Sequence, residues 1–131
     1  MEIKTFNRGI VIFREGDPGD CMYDVYSGKV GIYTAYGEPD QKLLMEYHPD
    51  QYFGEMGLLE HAPRSATAVA IENDTSVAVI TEESFGEFFE KNPARVLMVM
   101  QQMSRNLRRR TDDFVEVCRK IKELSDEEGD K

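Results

Sequence analysis

Phe53-Gly54-Glu55-Met56-Gly57-Leu58-Leu59-Glu60-His61-Ala62-Pro63-Arg64-Ser65-Ala66-Thr67-Ala68-Val69 is the stretch on which the reading of this chain turns. Gly54 permits a sharp turn or a close backbone approach. Glu55 opens a short apolar segment, Met56 to Leu59, long enough for one or two helical turns. The start of a helix offers unpaired backbone N–H groups and a partial positive charge, which favour an anion. Pro63 stiffens the approach to Arg64, whose planar guanidinium fits a phosphate with two parallel hydrogen bonds. Ser65, Ala66 and Thr67 are small and leave their N–H groups accessible. A carboxylate that can accept from a diol and a guanidinium that can hold a phosphate therefore meet on one loop. A ribose phosphate needs that pair.

Outward from this stretch the chain reads as short strands. Thr5, Phe6 and Ile10 to Phe13 have β propensity and are punctuated by Asn7-Arg8-Gly9. Glu15 to Asp20 is a dense turn signal. Met22–Tyr26 and Lys29–Thr34 are two further strands broken at Ser27-Gly28, with Tyr23 and Val25 on one face, as are Val30 and Ile32. Leu43, Met45 and Tyr47 alternate, and His48-Pro49-Asp50 ends that strand. Thr67–Ile71 and Ser76–Thr81 follow, separated by Asn73-Asp74. Short strands at such regular spacing predict an antiparallel sandwich or barrel.

The period changes at Thr81. Thr81 or Ser84 can cap a helix through Phe85, Phe88 and Phe89, spanning 82–91. Asn92-Pro93 restarts, with Asn92 as N-cap and Pro93 at the first helical position of a helix over 93–124. Its apolar residues fall at Val96, Met100, Met103 and Leu107, then at Phe114, Val117, Ile121 and Leu124. That 3.5-residue period over about four heptads is a coiled-coil seam and predicts a homodimer through this helix. The seam is interrupted at position 110 by Arg110. Residues 125–131 read as a short, frayed acidic tail.

Bulk properties narrow the function classes. A chain of 131 residues suggests one domain, 1–131, and 40% hydrophobic residues support a modest core. A net charge of -9 disfavours nucleic acid, because phosphate affinity comes from neutralising Lys and Arg. Arg105, Arg108, Arg109, Arg110, Arg119 and Lys120 read instead as a solvated helix face balanced by Asp112, Asp113 and Glu116. No apolar run of membrane-spanning length occurs, and no secretory signal, so a cytoplasmic location is expected. Cys21 and Cys118 lack metal spacing and read as free thiols. The two histidines, His48 and His61, are too few for a jelly-roll metalloenzyme of the cupin kind. The seven methionines fit adaptable packing.

The Phe-Gly-Glu-Met-Gly-Leu-Leu run followed by Pro-Arg-Ser-Ala resembles the phosphate-binding cassette of cyclic nucleotide-binding domains, most closely the catabolite activator type. Gly9, Ile12, Phe13, Glu15, Gly16, Asp17, Gly19, Tyr23, Val25, Gly28 and Val30 extend the likeness, from about residue 6 to 111. The resemblance implies a jelly roll over about 1–81, with the cassette at 53–69. It implies a non-enzymatic sensor that binds cyclic AMP or cyclic GMP and signals by repositioning its C-terminal helix. By the same resemblance Phe53, Gly54, Glu55, Met56, Gly57, Arg64, Ser65 and Ala66 hold the ribose phosphate. Arg110 and Thr111 then reach the base, with Arg110 standing where the family has a hydroxyl. No metal or other cofactor is implied. The family usually carries helices before the first strand; this sequence starts almost at that strand, so those helices are either trimmed away or absent, and the few acidic residues after the long helix leave no room for a DNA-binding module. Ser65, directly after the cassette Arg, is compatible with either nucleotide. A module of the same fold that dimerises without binding nucleotide is the alternative.

Overall fold

The computed structural model describes residues 2–129, of which 127–129 are described by their backbone alone. Eight strands come first: β1 (Glu2–Phe6), β2 (Val11–Phe13), β3 (Cys21–Ser27), β4 (Val30–Thr34), β5 (Lys42–Tyr47), β6 (Tyr52–Phe53), β7 (Thr67–Ala70) and β8 (Thr75–Thr81). A short helix, α1 (Glu55–Glu60), interrupts them, and α2 (Glu82–Lys91) and α3 (Pro93–Gly129) follow. The strands form two four-stranded antiparallel sheets, ordered β1-β8-β3-β6 and β2-β7-β4-β5. This is the expected jelly roll, as a sandwich of two sheets rather than a closed barrel. The two-residue β6 pairs Phe53 with Tyr23 and was not expected as a strand; Gly54 stops it at once.

Alternation fixes the core. On β3, Cys21, Tyr23 and Val25 point between the sheets and meet Val30, Phe53, Ala68 and Val77. Tyr23 stacks on Phe53 at 4.9 Å, and Phe53 stacks on Tyr47 at 5.6 Å. The opposite face of β3 is buried as well, because Met22 and Asp24 lie under further chain. Phe88 of α2 meets Tyr52 edge-on there, at 6.4 Å. Burying Phe88 this completely is worth roughly 1.5–3 kcal/mol.

The start of α2 is fixed locally. The Thr81 side chain accepts from Ser84 N, and the Ser84 hydroxyl answers the Thr81 N–H at 2.8 Å, a reciprocal cap. Asn92 differs from expectation. Its Nδ2 donates to Phe88 O, so the side chain closes α2 instead of capping α3, while its carbonyl accepts from Val96 N at 3.1 Å. The expected end of the long helix at 124 is also corrected: α3 runs to Gly129. Glu and Lys sustain a helix that Gly halts. Of the expected acidic tail, residues 130 and 131 lie outside the described residues.

The chain divides into two compact units, Met1–Val96 and Leu97–Lys131. The first holds both sheets, α1, α2 and the first turn of α3. The second is the remainder of α3, and Met100, Leu107, Phe114, Val117, Ile121 and Leu124 on it are 54–68% exposed.

Candidate functional site

The Phe53–Val69 segment leaves the sandwich at β6, turns through α1 and re-enters it at β7. Phe53 is rooted in the core, and Gly54 follows in the left-handed region at φ 75°, which bends the chain directly into α1. Glu55 stands in the first turn of α1, half-buried, with Met56 exposed beside it and Gly57 buried. His61, at φ 52°, closes α1 by donating its N–H to Gly57 O. Ala62 and Pro63 lead to Arg64.

Arg64 is the centre of the arrangement. It is 7% exposed, although it leads into a loop with exposed Pro63 and Ser65 on either side. The loop between β2 and β3 straps its backbone: Gly16 N donates to Arg64 O and Arg64 N donates to Asp17 O, both at 2.8 Å. In the same loop Glu15 N donates to Thr67 Oγ1 at 3.0 Å. The guanidinium lies over the Phe13 ring, 4.3 Å from its centroid. Nη1 donates to Gly54 O at 3.0 Å. Nη2 donates to Cys21 O at 2.9 Å and to Cys21 Sγ at 3.4 Å. Nε is buried and has no acceptor among the described residues.

Three glycines make room for this group. A Cβ on Gly57 would stand 2.5 Å from Nη1 and 3.0 Å from Cζ; one on Gly54 would stand 2.8 Å from Nη1. On Gly19 it would meet Ala62 O at 2.5 Å and the Gly57 Cα at 2.9 Å. Burial pushes the Tyr23 phenol well above its ordinary range, and a hydrogen bond with the Cys21 side chain adds to the rise. The phenol therefore stays protonated beside the guanidinium. The segment combines a buried cation whose Nε–H lacks an acceptor among the described residues, glycines packed against it and a carboxylate on Glu55, a set suited to an anionic ligand that also carries hydroxyls.

The structure thus brings Phe53, Gly54, Glu55, Met56, Gly57, Arg64, Ser65 and Ala66 onto one segment, with Ala66 buried and Ser65 exposed. Arg110 and Thr111 belong to the second unit. Both are exposed on α3, and the Thr111 hydroxyl donates to Leu107 O at 2.9 Å. Phe13, Gly19, Cys21 and Tyr23 were not expected to surround Arg64. Strand alternation puts Cys21 and Tyr23 on one inward face, but no local signal ties Cys21 to a residue 43 positions away.

His61 Nε2 lies 3.5 Å from Glu82 on α2, an exposed pair. No cluster of metal-ligating side chains occurs among the described residues, and no helix is long and apolar enough to cross a membrane.

A second charged group is built on the opposite face of β3. Asp24 is fully buried and accepts both 2.6 and 2.7 Å bonds from Arg95 Nη2, in the first turn of α3. Arg95 Nη1 reaches Asp50 at 3.2 Å, and the guanidinium lies 5.4 Å from the Tyr26 ring centroid. Burial holds the Asp24 carboxyl above its ordinary value, more than Arg95 lowers it. Burial pushes Tyr52 up to about 12. For Arg95 burial works against the charge, and the hydrogen bonds and charge of Asp24 more than offset it.

A family model described as the cyclic nucleotide-binding domain matches residues 3–92. The cyclic AMP receptor protein of Thermus thermophilus is 32% identical over 105 residues, which are 80% of this chain and 48% of that protein. The cAMP-dependent protein kinase regulatory subunit of Dictyostelium discoideum is 42% identical over 74 residues, 54% of this chain and 23% of that one. The crystal structure of the Thermus thermophilus catabolite activator protein superposes with a TM-score of 0.67 at 33% identity, covering 82% of this chain and 50% of the other. The chain spans about half the length of the bacterial relative.

Proposed function

The chain belongs to the cyclic nucleotide-binding domain family, and from that premise we propose that it binds cyclic AMP or cyclic GMP and works as a sensor without catalysis of its own. The observation that carries this reading is Arg64: a buried guanidinium seated against the glycines of the segment, with its Nε–H lacking an acceptor among the described residues. Arg64 holds the cyclic phosphate. Glu55 accepts from the ribose 2′-hydroxyl. Phe53 and Gly54 set the turn, and the backbone around Met56, Gly57, Ser65 and Ala66 lines the ribose phosphate. The base is assigned to Arg110 and Thr111 by family resemblance alone. The ligand is the only small molecule required; metal and cofactor have no role. The β roll over about 1–81, with its cassette at 53–69, is the sensing part. The helix at 82–91 and the long α3 carry the output by changing position in a cytoplasmic homodimer joined through α3, with neither nucleic acid nor membrane as a partner of this chain.

Titration calorimetry with cyclic AMP and cyclic GMP tests this. Truncating a desolvated charged partner costs about 2–5 kcal/mol, so Arg64→Ala is expected to weaken binding by at least about thirtyfold. Equal affinities of wild type and variant would remove the phosphate assignment. A second reading, a dimerisation module of the same fold that binds no nucleotide, draws on the engagement of the guanidinium with Gly54 and Cys21. A wild type without measurable heat for either nucleotide would favour it.

A further inference from the structure

Two arginines grip the same pair of strands from opposite sides. On one side the Arg64 guanidinium donates to Gly54 O, just after β6, and to Cys21 O, at the start of β3. On the other side three segments converge on Arg95. Its Nη2 meets the two oxygens of Asp24 on β3 at 2.7 and 2.6 Å, and its Nη1 meets Asp50, in the turn before β6, at 3.2 Å. Its backbone carbonyl accepts from the Tyr52 hydroxyl at 3.4 Å. Asp24 and Tyr52 are register partners, as are Tyr23 and Phe53. The two-residue β6 lies at the edge of its sheet, beside β3. Pairing this short is marginal by itself, so the side-chain contacts help decide where Phe53 and Gly54 stand.

We propose that Arg95 is a positioning residue for the ligand segment: seated on Asp24 and Asp50, it fixes β6 against β3, so that nucleotide binding at Arg64 and docking of the first turn of α3 favour each other. This rests on the reading of Arg64 as the phosphate-binding residue. Arg95 need not touch the ligand. Its seat and that of Arg64 share two strands, and a shift of β6 relative to β3 disturbs both. Asp24 is fully buried, so lifting the turn strips a covered carboxylate of its cation; the turn is either seated or open, with little between. Coupling of this kind is reciprocal: the factor by which docking strengthens nucleotide binding is the factor by which nucleotide strengthens docking. About tenfold lies within the usual range.

The test uses the full chain. Val96 N donates to Asn92 O at 3.1 Å, so hydrogen exchange of the Val96 amide reports opening of the first turn of α3. In wild type, saturating cyclic AMP is expected to slow that exchange about tenfold. Asp24→Leu with Arg95→Met removes both charges and leaves an apolar pair, which keeps the fold. This double variant is expected to bind cyclic AMP about tenfold more weakly by calorimetry. When it is saturated, the core amides of β3 still slow, as ligand linkage requires, while Val96 no longer responds. A double variant with wild-type affinity, or one whose Val96 gains the same protection as wild type, overturns the proposal. So does a wild type that binds cyclic AMP with no change at Val96, and the proposed function would then stand without it. A wild type that binds neither cyclic AMP nor cyclic GMP defeats the proposed function, and the coupling with it.

Discussion

At Gly57 any other residue would carry a carbon 2.5 Å from Nη1 of Arg64. The atoms in its way are the far end of a side chain, with the Gly19 Cα at 3.1 Å behind them. Gly57 lies inside α1, where alanine is the better helix former by about 1 kcal/mol. Gly57→Ala is therefore expected to keep its melting temperature within a few degrees, as a roughly 1 kcal/mol change would. It should lose cyclic nucleotide affinity, because Arg64 is driven from its seat. A variant that binds as well as wild type would show that the guanidinium position is irrelevant to the ligand. Glu55 invites a different test. A site that hydrogen-bonds a hydroxyl discriminates against the analogue lacking it, since a polar group is left unpaired. Cyclic AMP is expected to bind better than its 2′-deoxy analogue, and Glu55→Ala should shrink that gap. An undiminished gap would assign the hydroxyl to another residue.

β3 is the element that serves both charged groups. Its inward side gives Arg64 the carbonyl and thiol of Cys21, and its outward side gives Arg95 the carboxylate of Asp24. The second pair ties the first turn of α3 to the sandwich. A buried pair broken on one side costs about 3–5 kcal/mol, less here because Arg95 keeps Asp50. Asp24→Ala should therefore lower the urea midpoint, whereas Asp24→Leu with Arg95→Met should stay near wild type, since an apolar pair removes both desolvation costs. The pH dependence has a definite sign. With its folded value raised above the ordinary 3.8, Asp24 binds its proton more tightly in the native state than in the unfolded chain. Its contribution is fully present below the unfolded value and is lost as pH rises through the folded one. The stability of wild type relative to Asp24→Asn should fall as pH rises above the ordinary carboxylate value. Urea titrations at stepped pH that show a rising difference would contradict the assignment.

For the whole molecule the open question is what covers α3. Met100, Leu107, Phe114, Val117, Ile121 and Leu124 recur at the coiled-coil period and are exposed. On a helix of 37 residues this stripe, interrupted at Arg110, is the surface through which a homodimer is proposed. A second copy of the chain supplies the same stripe. Charge at two seam positions, Leu107→Glu with Val117→Glu, is expected to give a monomer by light scattering while the β circular dichroism of the sandwich persists. A wild type already monomeric at high concentration would exclude the seam as a dimer interface.

The sequence by itself carried the strands other than β6, the cap of α2 and the turn into α1, because each is written locally. Period-2 alternation on Tyr23 and Val25, the Thr81-Ser84 cap, and Gly54 ahead of Glu55 all act within a few residues. Only the tertiary structure decided what surrounds Arg64. Cys21, Phe13 and Gly19 reach it because two sheets pack face to face and a loop from another strand straps its backbone. The partnership of Asp24 with Arg95, 71 positions apart, was equally invisible, since a lone acid in a strand reads as solvent-facing until a helix covers it. Sequence periodicity fixes which side of an element is apolar. Which buried charge meets which acceptor depends on chain crossings, and those exist only once the sheets have closed on each other.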